Sequence, residues 1–353
     1  MHPDICITGL GLEIPGIASD GNPLERFLAP FGPVAFDPAA TLGRKGLRYK
    51  DHATKLALCA AQAALCDAGL PTTAAEQLSP ETFGVVVTSN LGNLDTVCRV
   101  VDTIRAEGAD GTSPLDGPNL SSNVIASSIA IRFRCQALNL TFCSGSTSGS
   151  DALFWGANAI RAGRAQRMLV VGVEPVNAVT TELMSISRWS ETSEVLRFCD
   201  GAGAVLLEAA EAAAERHAHS YARVGAYAAG RDVTLSLRGL SLDRDGFPPR
   251  WLTPNCAYAP TATAVQKALP LWGEQPPKRV DLSASLGESY GALGVLQCIA
   301  GCWWLREEGG SVLATSGGSW GDGAASVLLH REEEASDASR HHGAVEDGAA
   351  SSF

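Results

Sequence analysis

LNLTFCSGSTSGSDALFWGANAIRAGRAQRMLVVGVE, residues Leu138–Glu174, is the stretch whose reading decides the fold. It opens on a short strand, Leu138–Phe142. A turn of small residues, Cys143–Ser148, leads into a helix over Gly149–Gly163, with the last glycine as its stop. Met168–Val173 (MLVVGV) is apolar without alternation, the pattern of a strand covered on both faces. Glu174 follows at its end.

The same alternation extends in both directions. Ile5–Thr8, Phe83–Thr88 (FGVVVT) and Ala202–Glu208 read as strands, and Lys55–Ala68, ended by Gly69, and Ser122–Ile131 as helices. Further on, Ala257–Leu269 and Gly291–Leu305 read as helices. Val280–Ser285, Ser311–Ala314 and Ala325–His330 read as strands, the last two around a glycine loop. Strands alternating with helices predict an α/β fold with a covered, largely parallel sheet. From Arg331 the chain is charged, small and nearly free of large apolar residues, the composition of a disordered tail. His341 and His342 fall in that tail and read as solvated rather than metal-binding.

Composition narrows the function classes. The 353 residues carry 27 Lys+Arg against 38 Asp+Glu, a formal charge of −11. That balance argues against nucleic-acid and anionic-membrane partners, which select a basic face. No apolar run reaches the ~18 residues of a membrane span, and the N-terminus reads as a strand entering a turn rather than a signal peptide. The ten cysteines sit mostly in apolar runs without CxxC or zinc-like spacing, so buried free thiols of a reducing cytoplasm are expected. Cys298 and Cys302, at i and i+4 beside Trp303 and Trp304, read as core packing. Gly9-Leu10-Gly11 reads as a turn, not a dinucleotide fingerprint. Arg250-Trp251-Leu252 reads as a loop anchor at a subunit contact. Neither a metal nor a cofactor is expected.

The Leu138–Glu174 segment resembles the β-ketoacyl synthases of the thiolase superfamily. So do Ile7–Gly11, Arg44–Asp51 (RKGLRYKD) with the helix ending Asp67-Ala68-Gly69-Leu70, Ser121–Ile131, and the loop Gly317-Gly318-Ser319-Trp320-Gly321. The resemblance implies a five-layer αβαβα fold of two related halves, placed at 1–251 and a shortened 252–330, before the tail 331–353. In that family a strand delivers a nucleophilic cysteine to a buried helix N-terminus, where the helix dipole and backbone N–H groups favour a thiolate and later an oxyanion.

Registered on Gly149-Ser150-Asp151-Ala152-Leu153, the nucleophile position is Ser146. Cys143 lies three residues too early and stands as the alternative nucleophile. A serine hydroxyl needs an adjacent base, and Gly145-Ser146-Thr147-Ser148-Gly149 is not a GxSxG elbow. The resemblance also implies two histidines in the C-terminal half. None lies between residues 220 and 329, and Glu288 occupies the second position. With nucleophile and histidines all missing, no catalytic residue is expected, and the chain resembles the chain-length factors of type II polyketide synthases. That resemblance implies an active ketosynthase as heterodimeric partner, contact with an acyl carrier protein through the complex, a dimer strand over Leu138, Asn139, Leu140, Thr141 and Phe142, and an acyl tunnel shaped by Val97, Val100 and Ile104. The trimmed loops suit a reducing, polyene-making system. The alternatives are a divergent synthase or acyltransferase using Cys143 or Ser146, and a homodimeric acyl-binding protein.

Overall fold

The computed structural model describes residues 3–17, 25, 27, 34–72, 79–186, 197–242, 246–318 and 321–331. Its strands are β1 (Ile5–Glu13), β2 (Phe83–Thr88), β3 (Asn139–Phe142), β4 (Arg167–Glu174), β5 (Gly201–Ala209), β6 (Ala222–Gly230), β7 (Arg250–Leu252), β8 (Lys278–Val280), β9 (Ser311–Gly317) and β10 (Ala324–His330). The helices that matter here are α1 (His52–Asp67), α2 (Leu94–Glu107), α3 (Val124–Phe133), α4 (Ser148–Arg161), α5 (Ala178–Ile186), α6 (Val233–Arg238), α7 (Ala259–Ala268) and α8 (Leu293–Glu308).

β4 shows why the apolar runs are continuous. Leu169, Val171 and Val173 join one hydrophobic cluster, while Met168 and Val170 join another on the opposite face. Side chains alternate across a strand, so a strand with two covered faces spends no position on water.

The strands form one ten-stranded sheet in the order β3-β2-β4-β5-β1-β6-β10-β9-β7-β8. Read inward from each edge, β3-β2-β4-β5-β1 and β8-β7-β9-β10-β6 are the same arrangement. In each set the outer three strands are parallel and the next two antiparallel. Within the sheet, the described residues pair the two sets through Cys6 opposite Arg223 and Ile7 opposite Ala222.

Helices α4 and α8 pack on each other and on strands of both sets. Helices α1 and α3 cover the outer face of the first set, and α6 and α7 that of the second. The result is the αβαβα layering, with the largest cluster in the middle layer. There the helix backbones approach so closely that a Cβ at Gly149 would lie 2.7 Å from the Gly294 nitrogen.

Several local expectations change. The second set of strands opens at Ala222, the start of β6. Arg250-Trp251-Leu252 is not a loop anchor but the buried strand β7, with the Trp251 indole donating to Thr315 Oγ1 at 2.9 Å. Pairing of β8 ends at Val280, and Ser283–Leu286 is a single helical turn rather than strand. Cys66 and Cys143 are exposed, while Cys298 and Cys302 pack in the core as expected. The tail beyond Arg331 and the loop residues Ser319 and Trp320 lie outside the described residues.

Candidate active site

β2, β3 and β4 are parallel neighbours, so their C-terminal ends deliver Ser89-Asn90, Cys143–Ser146 and Glu174 to one edge of the middle layer. Asn90 ties them together. Its backbone N–H donates to Glu174 Oε1 at 2.8 Å, its Nδ2 donates to the Gly145 carbonyl at 3.1 Å, and its Oδ1 accepts from the Gly145 N–H at 3.0 Å. Glu174 also accepts the Leu91 N–H at 3.0 Å. Burial pushes its carboxyl up to about 7, against the pull of those hydrogen bonds.

Ser146 is buried at the single 3-10 turn preceding α4. Its N–H donates to Asp322 Oδ2 at 2.6 Å and its hydroxyl to Asp322 Oδ1 at 2.7 Å. Cys143 lies outside this contact. The residue is exposed, but its thiol donates to the Ser89 carbonyl at 3.2 Å and is partly desolvated there; that desolvation, followed by the charge of Glu174, raises its pKa. Both effects disfavour the thiolate that a nucleophile needs.

The end of α8 mirrors that of α4. Gly145 and Tyr290 both have positive φ, 79° and 41°, and each opens a 3-10 turn just before its helix. In that register Glu288 corresponds to Cys143. Glu288 is buried, with Oε2 accepting from Asn255 Nδ2 at 2.6 Å and Oε1 from the Tyr290 N–H at 2.6 Å. Burial raises its pKa, and nearby Asp281 and Asp322 raise it further. The Tyr290 hydroxyl is pushed up to about 12 by burial and then by Asp322, Glu174 and Glu288.

Glu174, Glu288 and Tyr290 line one cleft with Leu91, Pro175, Val176, Thr180, Met184, Phe198 and Cys199. Among the described residues no lysine, arginine or histidine lines it, so it offers no cationic donor to a developing oxyanion. Among the described residues no three His, Cys, Asp or Glu side chains group as a metal site. No helix among them is long and apolar enough to cross a membrane.

The structure therefore brings Cys143, Ser146 and Glu288 to one region, while the three positions expected to shape a tunnel lie on α2. Val100 is buried on α2, Val97 is half-buried and Ile104 is 46% exposed, and none of the three lines the cleft. β3 is an edge strand paired only with β2; Asn139 is exposed, and Leu140, Thr141 and Phe142 are half-buried. Reasoning from sequence missed Asp322, Asn90 and Asn255. Asp322 carried a signal, as the one charged residue between Thr315 and Ser326. Asn90 and Asn255 lie just beyond the C-terminal ends of two buried parallel strands, where such sheets gather their site residues.

The family model described as the N-terminal domain of β-ketoacyl synthase matches residues 27–213, more than half of the chain. The granaticin polyketide β-ketoacyl synthase 1 of Streptomyces violaceoruber is 24% identical over 283 residues, 68% of this chain and 66% of that protein. The ketoacyl synthase alpha subunit of tetracenomycin polyketide synthase, from Streptomyces glaucescens, is 24% identical over 68% of this chain and 65% of its own length. The chain thus spans about two thirds or less of the length of these curated relatives. The ishigamide ketosynthase/chain length factor structure superposes with a TM-score of 0.79 at 18% identity, over 94% of this chain and 100% of that one. A ketosynthase complexed with its type II polyketide acyl-carrier protein gives 0.76 at 16%, again over 94% and 100%. At these identities the structural likeness establishes the thiolase-type fold, and the family match, carried on the strand–turn–helix that holds Ser146, places this chain in the β-ketoacyl synthase family.

Proposed function

We propose that this chain is a non-catalytic subunit, like a chain-length factor, that pairs with an active ketosynthase in type II polyketide biosynthesis and shapes the partner's acyl tunnel. The observation that carries the reading is Glu288. It stands at the position expected for a histidine, buried, with both oxygens occupied by Asn255 and the Tyr290 N–H. A carboxyl with both oxygens already accepting hydrogen bonds stands in place of an imidazole, and the chain has no histidine from 220 to 329 to replace it. Ser146 supplies a hydroxyl where a thiolate is required. The alternative use of Cys143 is disfavoured by the raised pKa of its thiol. Polyketide relatives and the ketosynthase/chain length factor neighbour support the placement in a polyketide system.

In this reading the open edge of β3 pairs with the ketosynthase. Helix α2, with Val101 and Ile104 exposed, Val97 half-buried and Val100 buried, shapes the tunnel from this chain's side. The test is reconstitution with acyl and malonyl thioesters on an acyl carrier protein. The partner-free chain forms no carbon–carbon bond. With a ketosynthase it forms a one-to-one complex, and Val97→Phe or Val100→Trp shortens the products while the complex persists. Condensation by a homogeneous partner-free sample, abolished by Cys143→Ala, overturns the proposal.

A further inference from the structure

We infer that Asp322 is a built-in occupant of the anion-binding end of α4, filling from within the chain the place that an ionised nucleophile and an oxyanion would need. The inference deepens the non-catalytic reading above and rests on its placement of Ser146 at the nucleophile position.

The carboxylate is bidentate on one residue, taking the Ser146 N–H at 2.6 Å and its hydroxyl at 2.7 Å. Backbone N–H groups at a helix start favour negative charge. Here that N–H already points at a negative charge of the same chain. A second anion at residue 146 would stand within hydrogen-bonding distance of the first, with the N–H already committed.

The surroundings are built to the same contact. Gly145 has φ +79°, and a Cβ there would lie 2.1 Å from Asp322 Oδ2, so a side chain at 145 and the carboxylate exclude each other. On the other side, Asp322 belongs to a loop closed by the Gly318 N–H donating to the Gly323 carbonyl at 2.6 Å. Gly317, Gly318, Gly321 and Gly323 all have positive φ. A Cβ at Gly317 would sit 2.3 Å from the Gly323 carbonyl oxygen and 3.0 Å from Thr147 Cγ2. Glycine at 317 thus permits the close approach to Gly323 and Thr147 beside which the Asp322 carboxylate meets Ser146.

The test reads ionisation at residue 146 and needs no turnover. Ser146→Cys and Ser146→Ala chains are prepared with Asp322 retained, with Asp322→Asn and with Asp322→Glu. Thiolate absorbance at 240 nm, taken as the Cys-minus-Ala difference, gives the titration midpoint without requiring reagent access. With Asp322 retained, the thiol at 146 titrates at or above the ordinary value of about 8.5. Asp322→Asn lowers the midpoint by at least about one unit, and iodoacetamide labelling of residue 146 at pH 7, read by peptide mass, rises about tenfold. Asp322→Glu keeps the charge and keeps the midpoint high. Should Asp322→Asn fail to fold, Asp322→Ser carries the same expectation. Equal midpoints in the Asp and the neutral backgrounds overturn the inference. If the midpoints are equal and the partner-free chain still fails to condense, the plug falls and the non-catalytic reading stands. If the midpoint drops but the unaltered chain condenses, the reading falls instead.

Discussion

The two halves of the sheet keep one strand order and treat their ends differently. The first set runs to a four-residue edge strand, Asn139–Phe142, with no charged residue. The second runs to a three-residue edge, Lys278–Val280, that starts with two exposed cations. Short, charged edges resist pairing with another chain, and an uncharged edge invites it. The helix ends differ in a parallel way. At α4 the carboxylate arrives from a distant loop, Asp322 onto Ser146, whereas at α8 it is local, Glu288 onto the Tyr290 N–H. The strand order is common to both sets, which share one middle layer, while the edges and the helix ends differ.

The strongest test of the shared part is where the two helices touch. A Cβ on Gly294 would lie 2.4 Å from the Ser150 nitrogen, and one on Gly149 2.7 Å from the Gly294 nitrogen. Both obstacles are backbone, so neither can rotate away. Gly294→Ala and Gly149→Ala should each cost about 3 kcal/mol, read from urea midpoints. Gly163→Ala, at φ +67° with nothing within 4 Å of the new Cβ, should cost only about 1 kcal/mol. Equal losses at all three would mean that the halves do not meet as tightly as described.

What could be read from sequence follows the same division. β4 and α4 were legible because Met168–Val173 and Gly149–Gly163 carry long apolar or small-residue patterns. β7 was not. Three residues are too few to show a period of two, Arg250 breaks the apolar run, and Pro248, Pro249 and Pro254 flank it. β8 was placed too late because its first two residues are charged, as an edge permits. Residues Ser146, Cys143 and Glu288 were found from local register, whereas the partners that decide their chemistry were not. Asp322 reaches Ser146 across 176 positions, and Asn90 reaches Glu174 across 84, closures that only the folded sheet makes.

Glu174 and Glu288 give a second contrast, through pH. Burial raises both carboxyls above the ordinary 4.5, Glu174 to about 7. A raised folded-state pKa means that the native chain holds a proton the unfolded chain has released. For Glu174 the stabilisation is full below about 4.5 and is lost as pH rises through about 7. Glu13, Asp51 and Asp281 are raised in the same direction and add to the decline. Glu174→Gln should therefore flatten the fall in unfolding free energy between pH 4.5 and 7 by on the order of 2 kcal/mol. Glu288→Gln should flatten it too. Urea titrations across that window check both, and a Glu174→Gln curve parallel to the parent's would show that Glu174 is ionised throughout it.

The edges supply the last and smallest effect, one that separates pairing from folding. The Leu138 and Phe142 carbonyls accept from the Val85 and Ser89 N–H groups, so these positions face β2. Backbone groups alternate sides along a strand, so Asn139 and Thr141 turn theirs outward. Thr141→Pro removes one outward N–H and leaves the β2 ladder intact. If β3 pairs with a partner, this change should weaken dimerisation at least tenfold, about 1.4 kcal/mol, with the monomer's thermal midpoint shifted by no more than a few degrees. Arg279→Ala, at the blunted edge, should leave dimerisation unchanged. Sedimentation of each variant, alone and with a ketosynthase, separates the two edges. Equal weakening by both, or by neither, would remove β3 as the pairing strand, because among the described residues it is the edge strand without a charged side chain.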